Sequence, residues 1–128
     1  MRRILLIVMG ALILGGGFLH ASGFPALRAE FVKANVPEAL QDAPRAVWFF
    51  TSGAMFTLGA IVLTCALQMR KNPAVIWNVR WLALFYIAFG TWGYFGFHHS
   101  VHLGMFAIIG LVTGLGALGS DGPKLANG

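Results

Sequence analysis

The chain has 128 residues, of which 58% are hydrophobic and only 10% charged, and it carries a formal net charge of +5. Charged residues make up about a quarter of an average soluble domain, so this composition excludes an ordinary soluble protein and selects one solvated by lipid. The nine Lys and Arg residues flank apolar runs and form no dense patch, which sets nucleic acid aside, and the single Cys65 excludes an intramolecular disulfide.

The first apolar run, Ile4 to Ser22, follows Met1, Arg2 and Arg3 and contains no charge. At 1.5 Å per residue it covers roughly the 30 Å hydrocarbon core, so it reads as a membrane helix. A basic start and the small residues of "HAS" and "ASG" also fit a cleaved signal peptide, but the run exceeds the roughly 7 to 15 apolar residues of such segments. Next comes "GFPALRAEFVKANVPEALQDAPRAVW", the one substantial polar stretch. Leu27, Phe31 and Ala34 recur there at helical spacing, with Arg28, Glu30 and Lys33 on other faces and Pro25 suited to a first turn. A short amphipathic helix on the membrane surface is expected, acting as a connector or, alternatively, as a lid; further helix after Val36 is expected to stop at Pro44.

The second span is read as 46–69 and ends at Arg70 and Lys71. The third, 76–97, follows Asn72 and Pro73, and the fourth, 101–118, ends before a polar tail, 119–128. All are apolar on every face, unlike the alternating strands of a barrel. The fold class expected is therefore all-α: one transmembrane domain, residues 1–128, forming an up-down-up-down four-helix bundle with a short amphipathic segment in the outer loop 23–45. If the N-terminus is cytoplasmic, Arg2, Arg3, Arg70, Lys71, Arg80 and Lys124 lie inside and Arg28, Lys33 and Arg45 outside. That excess of inner positive charge favours both termini in the cytoplasm. Arg80 then sits near the inner face, where it serves as an anchor.

Gly90, Gly93 and Gly96, with Gly110 and Gly114 as a GxxxG, allow close helix approach, either within the chain or between copies. Thr51, Ser52, Thr57, Thr64, Thr91 and Thr113 are expected to bond carbonyls of their own helices. No Asp, Glu or Lys falls in the middle of a span, which disfavours an ion-coupled transporter.

The remaining chemistry is imidazole. His20 closes the first span, and His98, His99 and His102 fill "FHHSVH" between the third and fourth. Ser100 is the expected N-cap of the fourth helix, with His102 in its first turn. These four are the candidate metal ligands, for Zn²⁺, Cu or a haem iron, all of which accept imidazole. Interfacial histidines bonded to water and headgroups are the plainer alternative. Di-iron histidine boxes use many more His than four and are set aside.

The order "GGGFLH" at the close of the first span, a polar loop, "VWFFTSGAMFTLGAIVL" and a tight helix pair resembles small uncharacterised four-helix bacterial membrane proteins. It is similar, more loosely, to the DoxX-like group. The resemblance implies a bacterial inner membrane and carries over no catalytic residue. The function expected is non-enzymatic: interaction with the lipid bilayer or a membrane protein partner. Histidine-liganded metal or haem binding at the extracytoplasmic face is an alternative, and small-molecule transport by a homo-oligomer another.

Overall fold

The computed structural model describes residues 1–118. Five α-helices account for most of them: α1 (Arg2–Ser22), α2 (Phe24–Lys33), α3 (Glu38–Gln68), α4 (Ile76–Gly96) and α5 (Val101–Ala117), with one 3-10 turn at Pro73–Val75 and no strand among the described residues. The tail expected at 119–128, with Lys124, lies outside the described residues. By length and composition, the helical stretches Arg2–Lys33, Glu38–Gln68 and Pro73–Gly96 can cross a membrane, and Val101–Ala117 is a shorter apolar helix.

The all-α bundle is built from two antiparallel pairs, α1 with α3 and α4 with α5. Further contacts of α1 with α5 and of α3 with α4 close the four helices into a ring. Small residues explain why the pairs are the tight units. A Cβ on Gly10 would lie 2.8 Å from the backbone N of Leu63, and one on Gly59 would lie 2.5 Å from that of Leu14. In the other pair, a Cβ on Gly90 would lie 2.1 Å from the N of Ala107, and one on Gly110 would lie 2.7 Å from the O of Ala83. In each pair the two backbones touch, and only glycine permits that. Gly110 of the GxxxG is thus used inside the chain.

Between the pairs runs a thin apolar core that includes Leu6, Ile13, Val62, Val79 and Tyr86. Large apolar side chains also cover the outside of every bundle helix, among them Leu12, Phe50, Leu84 and Leu111. An all-round apolar exterior of this kind aggregates in water and is at home only in a hydrocarbon solvent.

Arginines close one end. Arg3 donates from Nε to the carbonyl of Ala66 near the end of α3 (3.2 Å), and Arg80 donates to that of Ala117 at the end of α5 (3.0 Å). Both carbonyls belong to last turns that lack helical partners, so a cation there satisfies an orphan acceptor and the helix dipole together. Arg80 also lies over the Trp77 ring at 4.6 Å.

Two expectations are corrected. Pro44 does not end a helix: it lies inside α3, which starts at Glu38. The ring removes only the bond to the carbonyl of Leu40, in an exposed opening stretch where water can take that carbonyl, so the helix continues through. Thr51, Ser52 and Thr57 bond Val47, Trp48 and Gly53 of their own helix, whereas the buried hydroxyl of Thr113 has no partner.

Candidate functional site

The end of the bundle opposite the arginines holds all four histidines, and the local structure there decides which of them can act together. Helix α1 ends at Ser22, and the chain turns through Gly23 directly into α2, with Pro25 in the first turn as its fixed φ suits. At its far end α2 is closed by Asn35, in the left-handed conformation at φ 53°. Asn35 N bonds the carbonyl of Val32, and Val36 N bonds that of Phe31 (3.1 and 3.0 Å). This is the hydrogen-bond pattern of a Schellman cap, which Asn tolerates nearly as well as Gly. Gln41 Nε2 then donates to the carbonyl of Val36 at 2.8 Å, tying the start of α3 to the corner. So held, α2 packs on α1 and α3 and turns Leu27 and Phe31 into the cavity wall while Arg28, Glu30 and Lys33 stay exposed.

His20 is fixed at three points. Its carbonyl, in the last turn of α1, accepts from the indole Nε1 of Trp48 at 2.7 Å. Its ring stacks on the Trp48 ring with centroids 4.1 Å apart and planes inclined by 20°. Its Nδ1 lies 2.9 Å from Ser52 Oγ, and that hydroxyl donates to the carbonyl of Trp48, also at 2.9 Å. Trp48 can lie this close because Gly23 stands opposite it, where a Cβ would come within 3.2 Å of the indole.

His102 stands in the first turn of α5. Two adjoining cavities, of about 430 and 500 Å³, share His20, Trp48, His102 and Phe106 in their walls. Helix α2 walls the smaller one with Leu27 and Phe31, while Phe89 and Trp92 of α4 close its other side. Neither cavity is lined by Lys, Arg, Asp or Glu.

His98 and His99 do not join this pair. Both are exposed residues of the turn between α4 and α5, in the left-handed region at φ 51° and 58°. His is among the few residues that visit that region readily. The His99 ring lies edge-on to Tyr94 at 5.2 Å and to Phe95 at 6.0 Å, away from the cavities. Ser100 occupies the N-cap position of α5, although its hydroxyl makes no capping bond there; its carbonyl accepts from Gly104 N at 2.9 Å.

Of the four candidate ligands, the fold therefore brings His20 and His102 to common cavities and leaves His98 and His99 on the turn. Among the described residues no group of three or more His, Cys, Asp or Glu is arranged to hold a metal ion. Two imidazoles fall short of the three or four ligands that a zinc site draws from a protein. Trp48 and Ser52, the residues that position His20, had no signal of their own in the sequence. Trp48 reads as one of several interfacial aromatics, and Ser52 as a hydroxyl bonded within its own helix.

No protein family, curated protein or solved structure matches the chain. The arrangement itself offers an aromatic-walled cavity without Lys, Arg, Asp or Glu in its lining, with one imidazole held by Trp48 and Ser52 and a second, exposed one beside it.

Proposed function

We propose that this is a four-span protein of the bacterial inner membrane, with both termini in the cytoplasm, which works by binding a lipid or other lipid-soluble molecule at its extracytoplasmic end. The observation that carries the reading is the α2-covered cavity, where two helix pairs and a surface helix converge on His20 and His102 without a single charged side chain. A pocket of several hundred Å³, mostly apolar with a few placed polar groups, is the usual form of a small-molecule site. The bundle's outer surface is apolar, so the bilayer is the solvent from which an apolar ligand would come.

The orientation rests on six basic residues at or beyond one end of the spans against three at the other. The bacterial setting rests on the resemblance to small four-helix proteins of that membrane. Two measurements test the reading. A reporter fused after Gly128 should show a cytoplasmic C-terminus; an external one overturns the topology. Native mass spectrometry of the protein released from nanodiscs of host-membrane lipid should show a retained lipid-soluble molecule, lost when Leu27→Trp fills the cavity from α2. A bare protein in both samples overturns the binding function.

A further inference from the structure

The hydrogen bonds around His20 define which ligand head the cavity accepts. A serine hydroxyl has one hydrogen, and that of Ser52 is given to the carbonyl of Trp48 at 2.9 Å. Were His20 Nδ1 an acceptor as well, Ser52 Oγ could serve only one of its two neighbours, and the other would face it lone pair to lone pair. The arrangement in which both 2.9 Å contacts are hydrogen bonds has Nδ1–H donating to Ser52 Oγ. In the neutral imidazole this places the proton on Nδ1 and leaves the lone pair on Nε2. Because Nδ1 is engaged, Nε2 is the ring atom left for the cavities that His20 lines.

An acceptor of this kind bonds a donor and rejects a carbonyl, an ester or an ether, which present only lone pairs. The absence of charged lining residues disfavours phosphate and ammonium heads, which would be desolvated without a partner. The flat rings of Trp48, Phe106, Phe89 and Trp92 favour an aromatic guest over a saturated chain at the same depth. On the reading that this cavity binds lipid-soluble molecules, we infer that its ligand is a neutral phenol carrying an apolar tail. The phenolic O–H donates to His20 Nε2, the ring packs among the aromatic walls beneath α2, and the tail leaves toward the bilayer.

The test uses the full chain in nanodiscs and equilibrium dialysis against empty nanodiscs, with 4-octylphenol and its methyl ether, 4-octylanisole, as probes. The two share shape and apolarity and differ in one donor. Octylphenol is expected to bind saturably and about fivefold more tightly than octylanisole, since one net hydrogen bond contributes about 1 kcal/mol. His20→Phe should keep the aromatic wall and bring both probes to the weaker value. Ser52→Ala, which releases the Nδ1 proton and lets the imidazole change tautomer, should narrow the gap without abolishing binding. Equal binding of the two probes to the unaltered protein overturns the phenol assignment and leaves the binding of lipid-soluble molecules intact. Saturable binding of neither probe, with a retained molecule seen by mass spectrometry, likewise rejects the phenol; if nothing is retained, the broader reading fails as well. A visible haem band that disappears in His20→Phe would assign Nε2 to iron instead.

Discussion

The two helix pairs are built alike and joined differently. In each, glycines bring the backbones into contact, and an arginine of the leading helix caps the end of the returning one: Arg3 on Ala66 in α1/α3 and Arg80 on Ala117 in α4/α5. The α4/α5 pair returns through residues 97–100, whereas α1/α3 returns through α2 and its capped corner. That difference separates the histidines. The short turn carries His98 and His99 exposed, and the long connection puts Leu27 and Phe31 in the wall of a cavity beside His20, which Trp48 and Ser52 hold. Shared packing supplies the bundle; the unequal connections supply the site.

If glycine contact is what the pairs have in common, its removal should be the most damaging change in either. Gly90→Ala places a methyl 2.1 Å from the backbone N of Ala107, and Gly59→Ala places one 2.5 Å from that of Leu14. Backbone cannot rotate aside, so the helices must part. A loss of about 3 kcal/mol is expected for each, read as thermal unfolding in detergent, with Gly90→Ala at least as severe. Gly93→Ala meets only the side chain of Leu103 and should cost less, and Gly53→Ala, with nothing within 4 Å, should leave stability unchanged or slightly raised. Tolerance of Gly90→Ala beside collapse of Gly59→Ala would show that the pairs do not share one packing logic.

A smaller effect is expected at the arginine end. Arg3→Met and Arg80→Met keep a long apolar stem and remove the cation, leaving the carbonyls of Ala66 and Ala117 without their caps. Each should lower stability by about 1 kcal/mol, Arg80 more than Arg3 because its guanidinium also lies over Trp77. Matching losses would support the equivalence of the two caps, and a loss confined to one variant would break it.

The features legible in the sequence were those set by local composition. Four apolar runs mark four helices because burial in lipid demands apolarity on every face, and Leu27 and Phe31 declare α2 because a surface helix must segregate its faces. The joining of α2's corner to α3 was not legible. Pro44 is a stop signal by local chemistry, and only the exposure of the Leu40 carbonyl's surroundings in the folded chain makes it harmless. The site was half legible. Imidazoles at span ends pick out the end of the bundle where His20 and His102 line common cavities, but nothing local distinguishes His102, one turn into α5, from His98 and His99. The pinning of His20 depends on residues 28 and 32 positions away, a relation that only the α1/α3 packing creates.

The smallest expected effect addresses the turn itself. His98 and His99 sit at φ 51° and 58°, where a side chain costs on the order of 1 kcal/mol and glycine costs none. His98→Gly removes that strain but adds freedom to the unfolded chain, so stability should rise by less than about 1 kcal/mol or stay level. His99→Gly also loses the edge contacts with Tyr94 and Phe95 and should come out level or slightly destabilised. Neither should alter binding in the cavity walled by His20 and His102. If His98→Gly instead lowers stability by several kcal/mol, or abolishes ligand retention, the turn belongs to the site. Both connections would then contribute to the site, and the contrast drawn between them would fall.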